Sequence, residues 1–169
     1  MIVNIHERDF AASGEELAEL LATLSSEHDR LWPLEAWPRM RLDHGLAPGA
    51  KGGHGPVRYT VESVDPRSEV VFRFTGPSGF VGWHAFSIID AANGSTTLRH
   101  EPRLHPRLWA YLTWPLFFRP LHDALLEEAF DKAGRELGEP PEAPHRRGIW
   151  ASALRATAMG LGRPRRRRR

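Results

Sequence analysis

The stretch WPLFFRPLHDALLEEAFDKAGRELG, Trp114 to Gly138, decides the fold. Its periodicity predicts one long amphipathic helix. Phe118, Leu121, Leu125, Ala129, Ala133 and Leu137 recur at three- and four-residue steps and share a face. Leu126 and Phe130 widen that stripe. Glu127, Glu128, Asp131, Lys132, Arg135 and Glu136 are expected on the opposite, wet side. Gly138 stands where a left-handed cap would sit, and Pro140 and Pro141 prevent continuation. A helix of this length must lay its apolar side on a large surface. The strand-like segments before it are the natural partner.

Working outward, residues 2 to 10 read as a first strand, with Val3 and Ile5 on one face and Asn4 and His6 on the other. Ser13 and Glu16 have capping-box spacing ahead of Leu17, Leu20, Leu21 and Leu24, so a helix starts there. A second helical turn or short helix is expected over residues 26 to 36, bounded by prolines. Met40, Leu42 and His44 alternate with charged residues and suggest a strand. The glycines of LAPGAKGGHGP then read as a loop, and it lacks the GxxxxGK[ST] of a phosphate loop. VRYTVESV, EVVFRFT, VGWHAFSIID and STTLRHEPRL all alternate as strands. Asn93-Gly94 is a favoured hairpin sequence between the last two. A three-residue loop there sets Phe86 opposite His100 and Ile88 opposite Leu98, whereas a two-residue loop breaks that alignment. Strands grouped between helices indicate an α+β class.

Composition bounds the function. The chain has 169 residues, enough for one domain with a tail, and no cysteine. Disulfides, thiolate metal sites and cysteine nucleophiles are thereby excluded. The charged start MIVNIHERDF does not read as a signal peptide, and no apolar run is long enough for a membrane span, so a cytoplasmic location is expected. From Glu139 onward nine arginines face two glutamates, a charge of +7, against +2 for the whole chain and hence −5 for the body. The basic pI belongs to the tail.

Four stretches carry a resemblance to a known family: GGHGPVRYTVE (52–62), FRFTGPSGFVGWHAF (72–86), TTLRH (96–100) and RPLHDALLEEAFDKA (119–133). Together with the order of elements, they make residues 1–138 resemble the START and pollen-allergen-like superfamily, also called SRPBCC or polyketide cyclase/dehydrase-like. The resemblance implies a helix-grip fold, a curved antiparallel sheet of about six strands wrapped around a long C-terminal helix. Lipid carriers, hormone receptors and aromatic-polyketide cyclases share that fold, so function rests on the site.

Sheet and helix in such a fold leave an apolar hollow between them, a natural ligand site. Its expected lining is Tyr59, Val61, Phe72, Phe74, Phe86 and Leu98 from the sheet, with Leu121, His122 and Leu125 from the helix. Trp37, Trp109 and Trp114 are candidates to close one end. The same aromatics would otherwise serve as ordinary core. His84 and His100 point inward under the preferred register and are the candidate acid/base groups. Their alternative is a pair bonded to neighbouring structural groups. His122 and Asp123 are adjacent on a helix and diverge by about 100 degrees, so they form no dyad by proximity. His54 reads either as a gate or as a solvated loop residue. HExxH, GxSxG and GxGxxG are absent, so neither a metal nor a cofactor is expected.

Beyond Gly138, EPPEAPH reads as a proline-rich linker, and RRGIWASALRATAMGLG as a disordered or partly helical extension. Arg165, Arg166, Arg167, Arg168 and Arg169 would attract anionic lipid or nucleic-acid phosphate. Three functions follow: a carrier of a small apolar or aromatic molecule, a polyketide cyclase or dehydratase, and a peripheral membrane or nucleic-acid adaptor.

Overall fold

A computed structural model describes residues 1–90 and 94–161, with the side chains of 158–161 left out of account. The strands are β1 (Ile2–Val3), β2 (His6–Phe10), β3 (Arg41–Leu42), β4 (Lys51–His54), β5 (Val57–Asp65), β6 (Glu69–Gly76), β7 (Phe80–Asp90) and β8 (Thr96–Pro106). The helices are α1 (Gly14–Ala22), α2 (Ala110–Thr113), α3 (Arg119–Glu136) and α4 (Ile149–Leu161). A π-helical turn, Trp114–Phe118, joins α2 to α3. One antiparallel sheet runs in the order β1-β8-β7-β6-β5-β4-β3, with β2 also on β8, and α3 crosses its concave side. This is the helix-grip arrangement.

The sheet has more strand segments than the six expected. The first strand is two short ones, split at Asn4 and Ile5. The glycine stretch read as a loop contains β4. There Gly52 and Gly53 permit contacts that a side chain would forbid. A Cβ on Gly52 would lie 1.8 Å from the Arg41 oxygen, and one on Gly53 would lie 1.9 Å from the Val57 oxygen. Glycine here permits close strand pairing rather than loop freedom. Irregular register between β5 and β6, at Arg58/Tyr59 and Val61/Ser63, bends the sheet.

The capping box of α1 forms as expected: Ser13 Oγ accepts from the Glu16 amide, and Glu16 accepts from the Ser13 amide at 2.8 Å. Leu17, Leu20 and Leu21 are buried. Residues 26 to 36 form turns instead of a helix. Asp29 is the reason: its carboxylate accepts from the amides of Ser25, Leu31 and Trp32, at 2.8, 3.0 and 2.7 Å. These side-chain bonds substitute for a helical ladder.

The end of α3 is a Schellman motif. Glu139 N donates to Gly134 O at 2.7 Å, Gly138 N donates to Arg135 O at 3.3 Å, and Gly138 has φ +80°. Leu125, Leu126, Ala129, Phe130 and Ala133 are buried against Phe10, Tyr59, Phe72, Phe86 and Leu98. A side chain such as Phe130, with no exposed surface, contributes about 1.5–3 kcal/mol. Asp131 and Lys132, assigned to the wet side by periodicity, are buried as well. Arg8 and the His145 amide hold Asp131. Lys132 Nζ donates to Asp29 O, Trp32 O and Glu35 Oε1, at 3.2, 2.8 and 3.2 Å.

After Gly138 the chain returns along α3. Glu139 accepts from the Ala11 and Ala12 amides, Arg147 binds Glu128, and Arg155 of α4 donates to Ala36 O at 2.6 Å. Arg165 to Arg169 lie outside the described residues, as does the Asn93 half of the hairpin turn. Among the described residues no helix is long and apolar enough to cross a membrane.

Lys132 ties α3 to the 29–35 turns, so Lys132→Met strands two buried carbonyls. Urea unfolding should show a loss of about 1–3 kcal/mol; an unchanged midpoint would show that the tie contributes nothing.

Candidate functional site

Pairing of β7 with β8 follows the inward-histidine register: Phe86 is opposite His100, and Ile88 is opposite Leu98. Period-two alternation therefore puts His84, Phe86, Leu98 and His100 on the helix side. His84 Nδ1 lies 3.1 Å from His100 Nε2. Each ring is packed among aromatics. His84 stacks on Phe72 with centroids 4.8 Å apart and an interplanar angle of 16°, and His100 meets Phe86 edge-on at 4.5 Å.

Burial holds both rings well below the usual imidazole pKa, and the neighbouring histidines, which would repel added charge, push the same way. Both are therefore neutral near pH 7. A neutral imidazole carries one N–H. If His84 Nδ1 donates, its Nε2 is a bare lone pair and His100 Nδ1 carries a proton. The reverse tautomers exchange these roles. Either way the outer nitrogens are one donor and one acceptor. Both outer atoms, His84 Nε2 and His100 Nδ1, are buried and have no hydrogen-bond partner among the described residues; His122 Nε2 is in the same position.

These rings border a cavity of about 530 Å³ between the sheet and the first turns of α3. Of the residues nominated from sequence, Phe74, His84, Phe86, His100, Leu121, His122 and Leu125 line it. Tyr59, Val61, Phe72 and Leu98 do not. They lie fully buried in the solid core behind it. Trp37 and Trp114 are in the lining, whereas Trp109 is 75% exposed.

Several lining residues escaped sequence reasoning. Trp32 comes from the turns, Phe80 and Pro102 from β7 and β8, and Arg155 from α4. Arg155 sits 5.8 Å from the Trp37 ring and carries the returning chain to the cavity rim. His54 also lines the cavity. Its Nδ1 is 3.1 Å from Tyr59 Oη and its ring 4.7 Å from Trp32. Burial, aided by the positive potential near His122 and Arg58, lowers it to about 3. Burial likewise raises the Tyr59 phenol, which stays protonated. Its contribution is to hold His54.

A polar layer borders the cavity where β1 and β2 meet α3. Val3 and Ile5 face outward; Asn4, His6 and Arg8 turn towards the helix. Alternation alone marked two faces, and the carboxylates of α3 decide which is inner. Asn4 Nδ2 donates to Asp123 Oδ1 at 2.6 Å, and His6 lies 3.1 Å from that oxygen and 2.9 Å from Glu127 Oε1. Arg8 reaches Glu127 and Asp131. Burial alone would lower His6, but bonds to Asp123 and Glu127 outweigh it and raise it. Burial would raise Asp123, but bonds from His122, His6 and Asn4 hold it well below the usual carboxylate range. His122 is lowered, burial outweighing the help from Asp123. Its ring is 5.0 Å from His100, so an imidazole series runs from this layer to the cavity.

No protein-family model matches the chain, and no curated protein matches it in sequence. Solved structures do match. A Thermobifida fusca protein, solved by NMR, superposes with TM-score 0.62 at 14% identity over 88% of this chain and 100% of its own. CalU16 from Micromonospora echinospora gives 0.56 at 11% identity, over 94% of this chain and 84% of its own. Truncated norcoclaurine synthase from Thalictrum flavum gives 0.57 at 17% identity, over 80% and 93%. At such identities the likeness is one of fold.

Neutral burial of histidines has a sign in stability. Where the folded pKa is lowered, the unfolded chain takes up protons that the fold refuses, so stability falls as pH drops below about 6.5. His54, His84 and His100 act this way, and His6, raised, acts against them. His84→Gln should flatten the decline measured by urea unfolding from pH 7 to 5.5, by up to about 1.4 kcal/mol per pH unit. A parallel decline in both proteins would mean that His84 titrates normally in the fold.

Proposed function

We propose that the chain is a START-like, SRPBCC-type protein that binds a small apolar or aromatic molecule in the cavity beside α3. The guest carries both a hydrogen-bond acceptor and a donor, such as a carbonyl and a hydroxyl. The carrying observation is the His84–His100 contact at 3.1 Å. Two neutral imidazoles so joined offer one N–H and one lone pair whichever tautomers are present. Leaving those atoms unpaired costs about 1–3 kcal/mol each, so a guest reaching them is favoured. The volume of about 530 Å³ suits a drug-sized or polyketide-sized molecule.

Fluorescence titration with 1-anilinonaphthalene-8-sulfonate tests the location. Leu121→Trp, which fills the hollow, should weaken binding about 10-fold or more, equivalent to about 1.4 kcal/mol. Unaltered affinity would put the guest elsewhere. The polar half has its own check: His100→Leu should cost 2-naphthol about 5-fold in affinity, one net hydrogen bond, while naphthalene loses little. Equal losses for both would reject a polar role for His100.

One observation favours a second reading, catalysis of aldol-type cyclisation or dehydration. The paired rings can take a proton at one outer nitrogen and release one at the other, while the proton between them shifts. Their lowered pKa values keep a free lone pair available at neutral pH. Norcoclaurine synthase, of the same fold, has been solved with a transition-state analogue, and DynU16 is described as a putative protein of the dynemicin biosynthetic locus. With a poly-β-ketone thioester as substrate, His84→Ala and His100→Ala should each reduce turnover about 10²–10⁴-fold with circular dichroism unchanged. Retained turnover would leave binding as the function.

A further inference from the structure

Asn4, His6, His122 and Asp123 come together across the seam between the first strands and α3. Their polar atoms form a compact four-cornered figure. His6 Nε2 lies 3.1 Å from Asp123 Oδ1, and His122 Nδ1 lies 3.6 Å from the same oxygen. Asn4 Nδ2 lies 2.6 Å from Asp123 Oδ1, 3.3 Å from His122 Nδ1 and 3.4 Å from His6 Nε2. The His6, His122 and Asp123 donor atoms all fall within 4.8 Å of one another.

Zinc bound tetrahedrally at about 2.0–2.1 Å from its ligands places those ligands about 3.3 Å apart. Four of the five spacings, 3.1 to 3.6 Å, lie near that figure, and the 2.6 Å between Asn4 and Asp123, now a hydrogen bond, would widen by about 0.7 Å around an ion. The fourth corner is the Asn4 amide. Half a turn about its terminal bond exchanges Nδ2 for Oδ1 and converts a donor to a carbonyl ligand.

The surroundings also suit an ion. His6 Nδ1 lies 2.9 Å from Glu127 Oε1, the carboxylate–histidine contact that orients a metal-binding imidazole. Arg8 holds the other Glu127 oxygen at 2.9 Å, and Arg119 lies 3.6 Å from Asp123 Oδ2, so the converging oxygen Oδ1 is left to the site. The His6 side chain is only 11% exposed and that of His122 18%. The ring of His122 reaches the cavity lining, and its Nε2 has no partner among the described residues. By contrast, His84, His100 and His122 do not converge within the same 4.8 Å limit among the described residues, so the cavity histidines are no metal cage.

We propose that His6 Nε2, His122 Nδ1, Asp123 Oδ1 and the Asn4 carbonyl form a divalent-cation site whose chemistry favours Zn²⁺. Two imidazoles and one carboxylate are zinc donors, the amide oxygen completes the fourth corner, and the site has too few oxygens for the larger shell of Ca²⁺. Metal on Nδ1 of His122 leaves the ring proton on Nε2, so the ion would fix His122 as a hydrogen-bond donor beside the cavity. It would also clamp α3 to β1 and β2. Sequence carries no zinc signature because Asp123 lies 117 positions from His6.

The test is isothermal titration of the full, chelator-treated chain with ZnCl₂, alongside CoCl₂ absorption. One Zn²⁺ should bind per chain, and Co²⁺ should give the intense visible bands of four-coordination. Asp123→Asn and His6→Gln, which retain hydrogen-bonding shape, should each weaken Zn²⁺ at least about 10-fold, and Glu127→Gln about 10-fold through His6. Asn4→Asp sharpens the test. It should bind Zn²⁺ more tightly and gain a larger zinc-induced rise in Tm than the parent. His28, His44 and His105 remain in every variant and control for surface binding. Absence of a one-to-one isotherm would overturn the site, as would affinity indifferent to His6→Gln and Asp123→Asn, or six-coordinate Co²⁺ spectra.

Discussion

A straight helix cannot remain in contact with a bent sheet along its whole length. Here the contact is solid around Phe130, where Phe10, Phe72 and Leu98 close on α3, and open around Leu121, where the strands diverge from it. That one mismatch generates the cavity. The sheet owes its bend to the irregular β5–β6 register, and α3 is held at its far end by the Schellman turn and by Lys132. Moving the helix towards the sheet to fill the hollow would break these ties.

Two sides of the first half of α3 handle polar groups by opposite means. Beside the cavity, burial keeps His54, His84 and His100 neutral, and aromatic packing replaces water around them. A step away, Asp123 and Glu127 gather Asn4, His6 and Arg8, so charge is retained and paired. His122 stands on the boundary, one nitrogen in the ionic layer and the other towards the hollow. A ligand event in the cavity and a charge event in the layer therefore share one ring.

Much of the fold was legible. Ser13 and Glu16 announced α1, Gly138 announced the end of α3, and the inward pairing of His84 with His100 followed from alternation once the register was chosen. These are local signals, set by backbone hydrogen bonds and side-chain period. Reading failed where distant partners override local preference. Asp29 dissolved an expected helix by capping amides, Gly52 and Gly53 made a strand from an apparent loop, and Asp131 and Lys132 entered the interior because Arg8 and the Asp29 and Trp32 carbonyls wait there.

The sequence by itself determined the α+β class, the strand alternation and the long helix, because periodicity and caps act over a few residues. It also nominated the two cavity histidines. Only the tertiary structure decided which aromatics border space and which fill it, since Phe72 and Phe74 sit on one strand face yet meet different depths of the bend. The same holds for His6 beside Asp123: their meeting depends on where a curved sheet sets its first strands against the last helix, a geometry no local pattern encodes.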